Sequence, residues 1–390
     1  MLETTRGDNI DYQEGNDPMQ MTFREMNLRV FQGKRIPHVF FQPRMEPWFD
    51  WHKIFGPLSP RLRGMSVREL YDELHCSMRY IHFHTNMPDP VVRQFGHEVG
   101  FSEHFTETEG QYLYETPHGD LVERQVLTVD KTWRTVGFAV KTPEDLKALR
   151  WLYQHTTYHF SVESFQKGSE FLGDRGEPQF WVPKSPYQAL VQLWMKLHDL
   201  IYALADARDL VEDTMKAIDD SYDALYEEII ASGRVKIINF GENIHDQLLS
   251  PQYWERYLIP FYEKRCGQLG KAGIYTHNHI DGYFRSLLPY LKHLPFDGIE
   301  ALTARPQGDV SLEEMAEHIG DKILLDGIPA VMFMPQYSAD ELMATVERVV
   351  ELFHPRLVLG ISDELPEGTG EEALERVRMI SDWCRESTTG

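Results

Sequence analysis

The second half of the chain alternates short apolar runs with longer amphipathic segments, and this rhythm constrains the fold more than any other feature. The apolar runs predict five buried strands, at 235–240, 272–276, 296–302, 322–325 and 356–361. Helix signals separate them, such as the capping box of Ser311 and Glu314 ahead of an apolar run. Strands that alternate with helices pair in parallel, because each crossover helix returns the chain to the same end of the sheet.

The less regular first half predicts three further strands, at 36–41, 79–83 and 179–182. Eight strands are the number of a (β/α)8 barrel. The stretch 101–140 alternates polar and apolar residues around a turn at 118–120, which predicts an antiparallel hairpin. The predicted fold class is therefore α/β, a (β/α)8 TIM barrel with an antiparallel hairpin insertion in the first half. A two-domain α/β arrangement is the rival, although no linker stands out.

Composition narrows the classes of partner. The 390 residues include 61 acidic and 39 basic side chains, a net charge of −22, which disfavours nucleic acid and anionic membranes as partners. No apolar run is long enough for a membrane span. We expect a flexible arm at 1–20 and a single barrel domain at 21–390. The three cysteines form no CxxC motif, which suits a reducing cytoplasm.

Charged residues follow the predicted strands of the second half, at the ends where barrel active sites form. Such residues stand at five successive strand ends, which indicates a site rather than chance. Glu300 and Asp326 are catalytic candidates at two of these ends. Arg44, which follows the first predicted strand, is a third, because a guanidinium can clamp an anionic group. A salt bridge to Glu46 is the alternative for Arg44.

Two histidines predict a metal site. His277 and His279 are two residues apart, so on a strand they face the same side with Cα atoms roughly 6–7 Å apart. Glu242 and Asp363 would complete the shell, since zinc accepts histidine nitrogen together with carboxylate oxygen. Zinc is therefore the expected cofactor. The alternative is that the imidazoles bind substrate, or that one of them is simply buried and satisfied.

Further side chains are candidates for binding a small-molecule substrate: Tyr187, Tyr275 and Lys184. Core packing is the alternative for both tyrosines. A second His-x-His pair, His82 and His84, leaves a hydrolase open. In amidohydrolase-type barrels such a pair shares hydrolytic metals with a lysine, a histidine and a late aspartate. Lys184, His277 and Asp363 could fill those roles here. In those barrels the pair normally ends the first strand, whereas here a predicted strand precedes it.

The segments GENIHDQLLSPQYWERYLIPFYEK, GIYTHNHIDG and LVLGISDELPEGTGEEALERV resemble the uroporphyrinogen decarboxylase superfamily, and the resemblance extends over about residues 30–385. That superfamily also contains cobalamin-dependent methyltransferases. The resemblance implies a (β/α)8 barrel with a deep funnel at the C-terminal ends of its strands. True uroporphyrinogen decarboxylases carry Arg-Gln-Ala-Gly-Arg after the first strand, whereas residues 42–46 read QPRME here. The porphyrinogen-binding pattern is therefore missing.

The methyltransferase branch resembles the chain more closely. It binds zinc through a His-x-Cys motif and a later cysteine, and His277, His279 and Asp363 take those places here, with Glu242 at the family's acidic position. Replacing both thiolates with harder ligands would make zinc a stronger Lewis acid, suited to polarising oxygen. The same replacement equally permits loss of zinc.

The resemblance leads to a first function hypothesis, metal-assisted methyl transfer between a small oxygenated substrate, for example a methoxylated one, and a corrinoid protein, as in O-demethylase systems. The chain has no Asp-x-His-x-x-Gly corrinoid signature, so a separate protein would supply the cobalamin. The second hypothesis is a metal-free decarboxylase-like lyase, in which Arg44 holds a carboxylate and His277 or Asp363 handles the proton. A metal hydrolase, a non-catalytic binding barrel and a homodimer also stay open.

Overall fold

The computed structural model describes residues 21–387, so the arm predicted at 1–20 lies outside the described residues. The strands, in chain order, are β1 Val91–Phe95, β2 Gly100–Phe105, β3 Glu109–Glu115, β4 Leu121–Leu127, β5 Trp133–Gly137, β6 Thr156–Phe160, β7 Trp181–Val182, β8 Ile237–Ile244, β9 Tyr275–Ile280, β10 Gly298–Glu300, β11 Ile323–Pro329 and β12 Leu357–Ser362.

The α-helices are α1 Phe23–Phe31, α2 Glu46–Phe55, α3 Pro60–Arg63, α4 Val67–Leu74, α5 Pro143–Gln154, α6 Val162–Leu172, α7 Pro186–Ala189, α8 Leu197–Asp206, α9 Arg208–Ser221, α10 Asp223–Ser232, α11 Pro251–Tyr253, α12 Ile259–Lys271, α13 Leu312–Ile319, α14 Ala339–Phe353 and α15 Glu372–Glu386. Two π-helical turns continue α7 and α11, at Leu190–Trp194 and Trp254–Leu258. Within residues 21–387 no helix is long and apolar enough to cross a membrane.

A six-stranded parallel sheet forms the centre of the molecule, in the order β12-β11-β10-β9-β8-β7. All five strands predicted in the second half are present, so the prediction of parallel βαβ units is confirmed there. β8 and β9 run further toward their C-terminal ends than the apolar pattern indicates, to Ile244 and Ile280. The polar residues predicted to follow these two strands therefore lie within them.

The strands predicted at 36–41 and 79–83 are wrong as full strands. Phe41 forms a single parallel bridge to β12, and Tyr80 forms one to Gln179, just ahead of the two-residue β7. The Ser77 amide donates to the Phe41 carbonyl at 3.1 Å, which links the two segments to each other. Pro37 removes a donor from the first segment, which shortens what it can pair.

The hairpin predicted at 101–140 is confirmed and is larger than expected. β2, β3, β4 and β5 form a four-stranded antiparallel sheet in sequential order. The turn between β3 and β4 contains Gly119 at φ 119°, a conformation that side-chain-bearing residues rarely adopt. A separate antiparallel pair, β1 with β6, flanks this sheet in sequence.

The N-terminal ends of the parallel strands meet an apolar floor. α1 begins at a capping box between Thr22 and Glu25 and turns its apolar side chains toward the sheet. The floor consists of Met26, Val30, Phe31, Ile36, Phe40, Ile237, Ile323, Leu325 and Val358. Each fully buried aliphatic side chain contributes about 1.5–3 kcal/mol. With this end of the sheet closed by apolar packing, the polar residues of the inner face collect toward the C-terminal ends.

Candidate active site

The strand pairing places the two predicted histidines and one predicted carboxylate on the same face. His279 is in register with Glu300 on the neighbouring strand, and His277 is in register with Gly298. Side chains alternate between the two faces of a strand, so His277 and His279 point the same way, as predicted. Asn239 on β8 is in register with His277 and shares this inner face.

Glu300 is the centre of a buried polar network. It has no exposed surface, and its Oε1 accepts hydrogen bonds from Arg79 Nη1 at 2.6 Å and from the Tyr80 hydroxyl at 2.5 Å. Its Oε2 accepts one from the Asn239 amide and lies 3.3 Å from His279 Nδ1. Burial alone would raise the pKa of Glu300, but Arg79 and the two imidazoles hold it well below its usual range. Glu300 is therefore ionised.

The two imidazoles differ in surroundings and in charge. His277 is fully buried, with Nε2 2.8 Å from Gln179 Oε1, and burial lowers its pKa, so the ring is neutral. His279 lies between two carboxylates, with Nδ1 toward Glu300 and Nε2 3.6 Å from Asp363 Oδ2. Burial would lower the pKa of His279, but Asp363 and Glu300 raise it to about 8. His279 is therefore protonated at neutral pH.

Arg79 joins Glu300 to Asp326. Its guanidinium donates to both Asp326 oxygens, at 2.7 and 3.2 Å, and its Nε donates to Gln42 Oε1 at 2.9 Å. Asp326 has φ 81°, an unfavourable backbone region for such a residue, and it reaches the network through this conformation. A Cβ at Gly360 would lie 2.5 Å from Asp326 Oδ1, so glycine there leaves the carboxylate its space.

Arg44 closes the network at its outer side. It donates to the carboxylates of Asp363 and, at 2.8 Å, Glu364, and its Nη1 lies 3.9 Å from Glu300. Its guanidinium also lies 5.2 Å from the centre of the Phe83 ring. Burial raises the pKa of Glu364 to about 7. Arg44 thus makes ion pairs, with partners other than the Glu46 of the alternative, and its predicted role in holding an anionic group stays a prediction.

The structure does not bring Glu242 to this network, which corrects the predicted metal shell. Phe240 and Glu242 lie on the outer face of β8, opposite to Asn239, and Glu242 accepts hydrogen bonds from the Ser185 amide at 2.7 Å and its hydroxyl at 2.9 Å. Burial raises the pKa of Glu242 to about 7, which Lys184 offsets only in part.

The remaining predicted ligands do not fit zinc as they are arranged. The Asp363 carboxylate binds the Arg44 guanidinium, and His277 Nε2 faces an amide. In the part of the chain that the structure describes, no group of three or more His, Cys, Asp or Glu side chains is placed to hold a metal ion. We therefore derive no step through a metal.

A cavity of about 580 Å³ opens over this network, a volume typical of small-molecule sites. Arg44, His279 and Asp363 reach it from the network. The rest of the wall combines aromatic rings with further charged groups, and its members include His82, Phe83, Asp89, Arg93, Tyr153, Tyr158, Trp181, Lys184, Tyr222, Asn243 and Glu364.

Of the predicted substrate-binding residues, Lys184 lies on the cavity wall, where its ammonium donates to the Gly241 carbonyl at 2.5 Å. Tyr187 is instead buried in the helical layer, with its ring centre 5.8 Å from that of Tyr257. Tyr275 is at the N-terminal end of β9, with its ring centre 5.7 Å from that of Phe31. Neither tyrosine lines the cavity. Both are packed in the core, which was the alternative to substrate binding.

The second His-x-His pair does not converge. His84 Nδ1 lies 2.8 Å from Asp50, whereas His82 packs edge-on against Trp181 and lines the cavity. His84 has φ 51°, so the chain turns between the two side chains.

Sequence reasoning missed four members of the network: Arg79, Tyr80, Gln179 and Asn239. All four belong to segments predicted as strands, and none of them follows the C-terminal end of its strand, where the candidates were sought. A charged or amide side chain within a buried strand needs a partner, and that was the available signal.

Comparisons with known proteins bear on the fold. No protein-family model matches the chain, and no curated protein matches it. The structure is similar to a methyltransferase from Methanosarcina mazei, with a TM-score of 0.58, 13% sequence identity, and 93% of this chain and 99% of that chain covered. It is less similar to a B12-independent methionine synthase from Shewanella sp. W3-18-1, with a TM-score of 0.43, 13% identity, and 85% and 91% covered. At this identity the first likeness supports a TIM-barrel-like α/β fold and no more.

Proposed function

We propose that the protein is a methyl-transfer enzyme that removes a methyl group from an oxygen of a small substrate bound in the cavity. The observation that carries the proposal is His279, a protonated imidazole on the cavity wall backed by the ionised Glu300. The likeness in fold to a methyltransferase over nearly the whole of both chains supports it. We also propose that the single bridges at Phe41 and Tyr80 complete an eight-membered barrel.

His279 would act as the general acid. When a C–O bond to a methyl group breaks, the electron pair stays on the oxygen, which then needs a proton. His279 Nδ1 faces Glu300, so Nε2, on the side of Asp363, holds the proton that is delivered. A pKa of about 8 keeps that proton in place at neutral pH and still allows its transfer. In this proposal His279 acts on the substrate oxygen, the role that the sequence analysis expected of zinc.

The surrounding groups fix the imidazole. Glu300 is itself held by Arg79, Tyr80 and Asn239, so its position does not depend on substrate. Arg44 holds Asp363 from the opposite side. A general acid supported in this way keeps its orientation while substrate enters, which limits the reorganisation needed during the reaction.

The methyl acceptor that we propose is a reduced corrinoid carried by a separate protein, an expectation that rests on the sequence resemblance to the uroporphyrinogen decarboxylase superfamily. The superfamily assignment, a cytoplasmic location and a homodimer stay predictions from the sequence. A metal-assisted variant of the reaction also stays a prediction, and elemental analysis of the purified protein tests it. One zinc per chain that is lost in His277→Ala and in His279→Ala would support that variant.

The test is single-turnover demethylation. Purified protein is mixed with a reduced corrinoid protein and a panel of methoxylated compounds, and the demethylated product is measured by chromatography. We expect product with the wild type and a loss of about 100-fold or more in His279→Gln. His84→Gln is the matched control, because His84 pairs with Asp50 outside the cavity wall. An unchanged rate in His279→Gln would contradict the proposal, and carbon dioxide release without any corrinoid would favour the lyase.

A further inference from the structure

A second charged region of the cavity wall belongs to the β1–β6 pair, away from the strand ends of the parallel sheet. Arg93 on β1 is directly opposite Tyr158 on β6, and both line the cavity. Directly opposite residues of an antiparallel pair share a face, so the strand geometry turns Arg93 and Tyr158 to the cavity together. Val92, the next residue, faces the other way and is 44% exposed.

The charge of Arg93 has no counter-ion within the part of the chain that the structure describes. Among residues 21–387 no carboxylate forms an ion pair with its guanidinium, which lies 4.6 Å from the centre of the Phe95 ring and donates to the Tyr114 hydroxyl at 3.4 Å. Arg44, on the same cavity, has three carboxylate partners, Glu300, Asp363 and Glu364. A guanidinium presents five N–H donors, and Arg93 is exposed on the cavity wall, so the donors that Tyr114 does not use stay accessible to an anion.

The neighbouring wall residues bind other groups. Asp89 also lines the cavity, but its carboxylate accepts the Val91 amide hydrogen bond at 2.8 Å. The Tyr153 hydroxyl already accepts a hydrogen bond from the Trp194 indole at 2.9 Å. Lys184 is the rival cation on the wall, and its ammonium is bound to a backbone carbonyl.

We propose that Arg93 binds an anionic group of the substrate. The cavity would then accept an elongated anion, a carboxylate on an aromatic or other flat body. Its carboxylate would meet Arg93, its body would pack against rings such as Phe83 and Trp181, and its oxygenated end would lie at His279. The position of the oxygenated end rests on the proposed function, whereas the binding of the anion by Arg93 does not.

Binding measurements without any corrinoid test this assignment. The probes are para-methoxybenzoate and para-methoxybenzamide, which have nearly the same shape and differ in charge, titrated by calorimetry. We expect the benzoate to bind at least about tenfold more tightly to the wild type, the effect of one charge-assisted pair. Arg93→Gln should abolish this preference, and Arg93→Lys should keep part of it, which also shows that the site is folded. Arg134→Gln is the matched control, on an exposed residue of β5.

Three results would overturn the assignment: equal binding of the two probes to the wild type, binding of neither, or an undiminished preference in Arg93→Gln. If Lys184→Gln rather than Arg93→Gln abolishes the preference for the benzoate, Lys184 binds the anion instead. If benzoate binding depends on Arg93 but no methoxylated compound is demethylated, the proposed function fails and the anion site stands. If methoxylated compounds are demethylated with no preference for anions, the proposed function stands and the anion site fails.

Discussion

Glu300 and Glu242 are two fully buried glutamates on strands of one parallel sheet, and they have opposite properties. Glu300 faces the inner side, where Arg79 and two imidazoles hold its pKa well below the usual range. Glu242 faces the helical layer, where burial raises its pKa to about 7 and its hydrogen bonds come from neutral donors of Ser185. The direction of the side chain, rather than burial or residue type, decides which carboxylate can serve as a charged group in the cavity network.

The largest effect on stability is expected from removing Arg79, the cation that Glu300 has and Glu242 lacks. Arg79→Gln leaves Glu300 and Asp326 buried without their shared counter-charge and should lower the free energy of unfolding by about 3–5 kcal/mol. Urea unfolding monitored by circular dichroism measures it. The control is Arg256→Gln, an exposed arginine paired with Glu212, for which we expect a change of about 0.5 kcal/mol or less. Equal losses of stability in the two variants would show that Arg79 does not stabilise the buried carboxylates.

Glu300→Gln should have the next largest effect and lower the free energy of unfolding by about 2–3 kcal/mol at neutral pH. The loss is smaller than for Arg79→Gln because Arg79 keeps Asp326 as a partner. The pKa of Glu300 is lower in the folded protein than in the unfolded chain. Its contribution to stability is therefore present above the unfolded pKa and is lost as pH falls through the folded pKa. Unfolding of wild type and variant over a pH series measures the difference. A difference that does not shrink in acid would argue against an ionised Glu300.

Glu242→Gln should give a smaller effect of the opposite sign. Because folding raises the pKa of Glu242, its contribution is present below the unfolded pKa and is lost as pH rises through about 7. Glutamine does not ionise, so the variant keeps its stability as the pH rises. We expect its free energy of unfolding to exceed that of the wild type by about 1–2 kcal/mol at about pH 9 and to match it within about 1 kcal/mol at about pH 5. The same pH series measures it. A variant that is less stable at every pH would place Glu242 among the ionised groups.

The smallest effect on stability is expected from Asp363→Asn, which should change the free energy of unfolding by less than about 1 kcal/mol, since its side chain is 28% exposed. The pKa of His279 should nevertheless fall from about 8, because Asp363 is the main group that raises it. The alkaline limb of the pH–rate profile would then move to lower pH. An unmoved limb would show that Asp363 does not act through His279.

How far the sequence predicted the molecule differs between its halves. In the second half the strands are continuous apolar runs separated by capped helices, so both their existence and their parallel pairing follow from the pattern. In the first half Phe41 and Tyr80 each make only a single bridge, and tertiary contacts rather than a local pattern determine their places. The hairpin insertion was predictable because alternation and a glycine turn are local signals.

The candidate site follows the same logic. His277, His279 and Glu300 were predictable from the two-residue period and from the positions of the strand ends. Glu242 was predicted to follow its strand, but β8 continues to Ile244, so Glu242 lies within the strand and on the face opposite to Asn239. Arg79 could not be linked to Glu300 from the sequence, since 221 positions separate them and only the fold brings them together.

The central claim is that the inner-face network keeps His279 protonated beside a neutral His277. The most direct measurement is an NMR titration of the imidazole resonances, assigned with His277→Gln and His279→Gln. We expect His279 to titrate with a pKa of about 8 and His277 to titrate below the ordinary histidine range. Two histidines that both titrate at the ordinary value, or a His279 that titrates below His277, would contradict the account.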